Sequence, residues 1–194
     1  MYYDPLSAGL PWREPDPARA RRRVIDGLSA GAGLVNYVGH SSPYQWATTD
    51  RNLAQPYLLG LYDVDGLANG ASQPIVLEMT CLTGAFQTPA YSGTTIDERL
   101  VLQPNGGAIA VWGPTGQGVA HGHDALQRGF YQALWSAPPL SATIGQLTAA
   151  GAIELFQNGL CCQDSLSTYA LLGDPLTRAR VLPARRVYLP ASWR

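Results

Sequence analysis

The chain has no lysine, only three histidines and three cysteines among its 194 residues, and no long apolar run. Each scarcity removes a class of function. Three cysteines are too few for a disulfide scaffold. Cys161 and Cys162 are adjacent, so a bond between them would close a strained ring, and the expectation is two reduced thiols with Cys81 standing apart. Without lysine, Gly113-Pro114-Thr115-Gly116-Gln117-Gly118 lacks the Lys-Ser/Thr ending of a phosphate loop, and nucleotide binding is not expected. Charged residues make up 14% and the formal net charge is -1, which leaves no electrostatic footprint for nucleic acid. The local run Arg19, Arg21, Arg22 and Arg23 reads as the wet face of a helix. No apolar stretch approaches the roughly 18 residues of a membrane span, and Met1-Tyr2-Tyr3-Asp4-Pro5 lacks signal-peptide character. His121-Gly122-His123-Asp124 offers His-x-His from a loop without further ligands at zinc spacing, so it reads as a helix start with Asp124 near the N-terminal dipole. Neither a metal nor a cofactor is expected.

What remains is 46% hydrophobic, enough for one domain with a sizeable core. Residues 1–15 read as irregular, 16–181 as the domain, and 182–194 as a linker or tail. Asp16-Pro17 supplies an N-cap and a first-turn proline, and Ala20, Val24 and Leu28 continue a helix until Gly31 and Gly33. Strands are expected at Leu34 to Val38, Ile75 to Met79 and Ala108 to Trp112, the last without alternation, as in a sheet covered on both faces. Between the first two, a helical piece around Leu53 to Leu61 and a turn over 63–67 allow a parallel crossover. Helices are expected at Thr95 to Leu102, with Asp97 and Glu98 favouring its dipole, at Asp124 to Trp135, and around Ile144 to Leu155. Alternating helices and parallel strands give an α/β layered domain.

The chemistry centres on Cys81, which follows the second strand, and on His40, which follows the first. Two parallel strands ending at one edge bring a thiol and an imidazole together. A thiol needs a nearby imidazole to take its proton at neutral pH, and the same imidazolium can later protonate a departing amine. The backbone N–H groups of Ser41 and Cys81 are candidate oxyanion donors. Gly39, Ser42, Gly84, Gly113 and Thr115 are candidates to line a cleft for a peptide. The histidine precedes the cysteine by 81 - 40 = 41 residues, an order shared with caspases.

Four segments in order, Gly31 to Ser42, Pro74 to Phe86, Gly106 to Gly113 and Tyr169 to Pro175, resemble the gingipain family of cysteine peptidases. That resemblance implies a caspase-like layered α/β fold with a mostly parallel sheet flanked by helices. It implies an endopeptidase acting on protein or peptide through Cys81 and His40, housed in a larger secreted or cell-surface protein, with structural calcium in some relatives. The chain departs from the family at Ser41, where glycine is usual, and in having no tryptophan between Gly113 and His123, so cleavage after basic residues is not implied. With three strands visible, the sheet is expected to be incomplete on its N-terminal side. The residue that orients the family's histidine is expected upstream; Asp63, Asp65 and Glu78 are the acidic candidates here. The alternative is a catalytically inactive caspase-like module acting in protein binding or secretion.

Overall fold

The computed structural model describes residues 10, 13–88 and 93–181. The expected tail over 182–194 and most of the irregular opening lie outside them. Helix α1 (Pro17–Ser29) starts where Asp16 accepts from the backbone N–H of Ala18 and Arg19, with proline at its first position. Strand β1 (Leu34–Val38) follows, then the short strands β2 (Ser41–Ser42), β3 (Gln45–Trp46) and β4 (Leu59–Gly60), helix α2 (Leu61–Asp65) and strand β5 (Ile75–Met79). The second half runs α3 (Ile96–Leu102), β6 (Ala110–Pro114), α4 (Ala120–Ser136), α5 (Ile144–Asn158), α6 (Ser165–Thr168) and β7 (Tyr169–Gly173).

The main sheet has the order β1-β5-β6-β7. β1, β5 and β6 are parallel, and β7 closes the edge antiparallel to β6. A second, three-stranded antiparallel sheet, β2-β3-β4, sits beyond the end of β1. Every residue of β5 is buried, Glu78 included, as expected of a mostly apolar strand covered on both faces. Its side chains alternate between two cores. Ile75, Leu77 and Met79 join Trp112, Leu126, Phe130, Leu147 and Leu155 under α4 and α5. Val76 packs instead with Val111, Leu28, Val64, Ile96 and Leu100 under α1 to α3. Helices α4 and α5 lie close against the sheet: a β-carbon on Gly151 would come within 2.5 Å of the Trp112 ring and 2.6 Å of the Leu126 carbonyl. No helix among the described residues is long and apolar enough to cross a membrane.

Several expectations are corrected. Residues 53–58 form turns, with Pro56 among them, and the helix comes later, over Leu61–Asp65, where Asp63 turns back to accept from the Gly60 N–H at 2.9 Å. Strand β6 begins two residues late, because the Ala108 N–H is spent on the Leu100 carbonyl at 2.8 Å. Helix α4 begins four residues early, so His121 and His123 are helical rather than in a loop. Arg21 is not on a wet face: it pairs with Asp63 and lies over the Tyr57 ring, whereas Arg19 and Arg23 reach the buried Glu14 from solvent. Asp97 does not serve the α3 dipole from solvent. It is buried, and Glu98 closes the capping box with Thr95 instead. Cys161 and Cys162, expected as free thiols, are joined in a disulfide within a tight turn in which Cys162 holds φ +70°. Cys81 is the free cysteine.

Candidate active site

The parallel pairing of β1 with β5 runs in register to Val38 opposite Met79. Both chains then turn at the same edge of the sheet, one through Gly39-His40-Ser41 and the other through Thr80-Cys81-Leu82. The turns are bonded to each other. Gly39 N–H donates to the Met79 carbonyl at 3.3 Å, and Thr80 Oγ1 donates to the Gly39 carbonyl at 2.7 Å. The Ser41 hydroxyl accepts from Cys81 N–H at 3.1 Å and lies within bonding distance of both the Cys81 carbonyl and Thr80 Oγ1. With one proton, it donates to one of these two at a time.

Cys81 is half-buried. Among the described residues its sulfur meets Gly118 alone through hydrogen bonds: the Gly118 N–H donates at 3.4 Å and its carbonyl accepts at 3.6 Å. Leu82, next in the chain, holds φ +64°, a left-handed conformation unfavourable for a side chain with a Cβ by about 1 kcal/mol. It is held by Leu82 N–H donating to Gly116 and Gly84 N–H donating to Pro114, at 2.9 and 3.0 Å. The loop after β6 therefore supports the cysteine turn from its other side.

His40 is exposed. Its carbonyl accepts from the Tyr37 hydroxyl at 2.5 Å and from Ala47 N–H at 2.7 Å, while its ring has no hydrogen bond to the described residues, the Cys81 thiol included. Tyr37 stacks on Trp46 at 4.5 Å, and the Trp46 indole N–H donates to Glu78 Oε1 at 3.0 Å. A buried carboxylate, two stacked rings and a hydroxyl thus hold the backbone that presents the imidazole.

Glu78 is fully buried with Asp97 and Thr83 beside it, directly beneath the cysteine turn. Burial pushes Glu78 up to about 7, against the opposing pull of Thr83, Trp46 and Asp97. Burial, and then the neighbouring Glu78, raise Asp97 well above the usual carboxylate range. Glu78 Oε2, Asp97 Oδ1 and Thr83 Oγ1 make no well-formed hydrogen bond among the described residues. Two carboxyls in one low-dielectric space with no cation between them favour holding at least one proton.

Among the proposed cleft residues, Gly39 is exposed and Ser42 half-buried, the latter's hydroxyl accepting from Tyr44 N–H at 3.2 Å. Thr115 binds the Thr168 carbonyl through both its N–H and its hydroxyl, at 2.6 and 2.9 Å. Gly84 and Gly113 are buried, each with its bare α-carbon against Asp97 Oδ2, so their smallness makes room for the carboxyl rather than for a peptide. Of the acidic candidates, Asp63 pairs with Arg21 and Asp65 with Arg99, which leaves Glu78 as the one bonded toward the histidine turn. No group of three or more His, Cys, Asp or Glu among the described residues could hold a metal ion.

The model of peptidase family C25 matches residues 1–180. The chain belongs to that family. Among curated relatives of this C25 chain, gingipain R2 of Porphyromonas gingivalis is 25% identical over 190 residues, an alignment covering 91% of this chain and 24% of the relative. Gingipain R1 of the same organism is 24% identical over 187 residues, covering 91% and 17%. The C25 chain thus spans about a quarter or less of the length of these relatives. Its fold matches the solved complex of Porphyromonas gingivalis RgpB pro- and mature domains with a TM-score of 0.68 at 23% identity, over 82% of this chain and 37% of that one. The crystal structure of the Arg-specific cysteine proteinase gingipain R (RgpB) matches with a TM-score of 0.63 at 22% identity, over 81% and 36%. The caspase-like α/β fold expected from the sequence is the fold these structures share with it.

The sequence alone assigns no site role to Tyr37, Trp46 and Asp97, and His123 reads there as part of a helix start. Glu78 was the available signal for the first three: a carboxylate within a strand buried on both faces demands polar partners.

Proposed function

We propose that this chain carries the nucleophile and base of a cysteine endopeptidase, with Cys81 attacking a peptide carbonyl and His40 moving the proton. The Cys81 sulfur forms a bond to the carbonyl carbon as the thiol proton passes to the His40 imidazole. The tetrahedral intermediate then collapses to a thioester, the C–N bond breaks, and the amine leaves with the proton from His40. Water, deprotonated by the same imidazole, releases the acid and restores the thiol. The oxyanion is received by backbone N–H groups at Ser41 and Cys81. For the Cys81 N–H this requires the oxyanion to replace the Ser41 hydroxyl as its acceptor.

The observation that carries this reading is the bonding of the two turns: β1 and β5 end in register, and Ser41 engages the Cys81 backbone. Two observations favour the rival, a noncatalytic binding module. The resting Cys81 N–H is already occupied, and the His40 ring makes no bond to the sulfur. Hydrolysis of a quenched-fluorescence peptide library separates the two. Catalysis predicts turnover that Cys81→Ala abolishes and that His40→Ala lowers by about a hundredfold or more, the usual scale for a general base. Turnover equal in the parent and Cys81→Ala ends the proposal.

A further inference from the structure

His123 is the buried polar group that the proposed reaction leaves unused. It is the fourth residue of α4, 6% exposed, and its Nε2 is buried with no hydrogen-bond partner among the described residues. An orphaned buried polar atom is costly and calls for an account. The atom lies against the α-carbon of Gly118, where an added β-carbon would strike Nε2 and come within 2.8 Å of both Cε1 and the Thr80 carbonyl. Gly118 is the residue whose N–H and carbonyl meet the Cys81 sulfur. Imidazole and thiol are therefore close to the two sides of one glycine, an approach that no residue with a side chain at 118 permits.

We propose that His123 is a positioning residue for the Cys81 thiol: its Nε2–H, held across Gly118 from the sulfur, works with the Gly118 N–H to favour the ionised thiol. The inference rests on Cys81 being the reactive group of the proposed function, but not on turnover. Burial holds the imidazole below its ordinary value and Asp124 raises it in part, so the ring supplies a neutral N–H dipole rather than a full charge. The other titratable groups around the pair are His121 and Asp124 on α4, Tyr169 on β7 edge-on to the imidazole at 5.8 Å, Glu78 on β5, Asp97 on α3, and His40 after β1. None of them changes in the variants below.

The test is the pH profile of Cys81 alkylation by iodoacetamide on the full chain without reductant, where the disulfide leaves Cys81 as the free thiol. His123→Ala and His123→Leu are expected to move the midpoint up by about one unit, making alkylation at neutral pH about tenfold slower while the rate above the midpoint is unchanged. His123→Gln, which returns an N–H at the same reach, is expected to restore the parent profile. A parent-like profile for the alanine or leucine variant overturns the proposal, because packing alone would then suffice. A glutamine profile shifted as far as alanine's overturns it as well. Should the small variants fail to fold, the unsubstituted protein still answers. The His123 ring-proton titration, followed by NMR, must shift when Cys81 is capped with methyl methanethiosulfonate, and an unmoved titration overturns the proposal. Neither measurement reads peptide hydrolysis, so an inactive chain would sink the peptidase reading while leaving this one to be decided.

Discussion

The two faces of β5 are built for different work. Toward α4 and α5 the strand sends Ile75, Leu77 and Met79 into an apolar and aromatic core with Trp112, Phe130, Leu147 and Leu155. Toward α1 to α3 it sends Val76 and then Glu78, and Glu78 meets Asp97, Thr83 and the Trp46 indole just before the chain reaches Cys81. Apolar burial stabilises at about 25 cal/mol per Å² and is indifferent to pH. A buried carboxyl pair without a cation costs stability and depends on pH. The comparison teaches that both faces bury apolar side chains, while the face toward α1 to α3 also carries a carboxyl pair where the two turns are held in a fixed relation.

The largest expected effect breaks the first face. Phe130 is fully buried between Trp112 and Tyr131, and Phe130→Ala removes a ring that the surroundings cannot replace. The expected loss is about 3–5 kcal/mol, read as a lower urea midpoint, and it should be the same at pH 5 and pH 8. The pH midpoint of Cys81 alkylation should not move below the unfolding transition. A loss that depends on pH would show that the two faces are not independent.

Glu78→Gln tests the second face, with a smaller effect of opposite character. The native value of Glu78, about 7, lies above its ordinary 4.5, so the folded chain binds more protons than the unfolded one. The contribution is therefore complete below about 4.5 and is lost as pH rises through 7. Asp97, raised for the same reason, adds in the same direction. Both carboxyls therefore lower the stability of the folded chain as pH rises across this window. The amide keeps the acceptor for Trp46 but removes the titration, so Glu78→Gln should flatten the fall in stability between pH 5 and pH 8. Urea titrations at the two values decide it, and an equal fall in parent and variant would refute the buried-pair account.

The two faces also differ in how far they can be read from sequence. β1 and β5 were legible to the residue because each is a five-residue stretch with a single polar residue, Asn36 or Glu78, opened by Gly33 or Pro74, and α1 because Asp16-Pro17 marks its start. The juxtaposition of Cys81 with the His40 turn followed from parallel pairing alone. The small sheet β2-β3-β4 was not legible, since two-residue strands carry no period. Asp97 was hidden for another reason: an acid in a first turn is ordinarily a solvated partner of the helix dipole, and only the position of α3 over the Cys81 turn turns it inward. His123 was hidden likewise, because its role depends on Gly118, five residues earlier, reaching the sulfur from the loop after β6. Local pattern located the elements; which side chains meet between them depended on how they pack.

The smallest expected effect on stability sharpens the comparison where both turns touch. The Ser41 hydroxyl joins the histidine turn to the cysteine turn, but it also occupies the Cys81 N–H that the proposed oxyanion would need. Ser41→Gly removes that acceptor and leaves its own backbone N–H in place. The cost to folding should be about 1 kcal/mol, the scale of a lost hydrogen bond, partly from the freer glycine backbone. If the Cys81 N–H holds an oxyanion, it no longer has to exchange one acceptor for another, and kcat/KM for a peptide should rise severalfold despite the lower stability. If the hydroxyl serves instead to align the sulfur with its base, kcat/KM should fall. Steady-state kinetics paired with a urea titration separates these outcomes, and a fall in kcat/KM for a folded variant would remove Cys81 N–H from the oxyanion role.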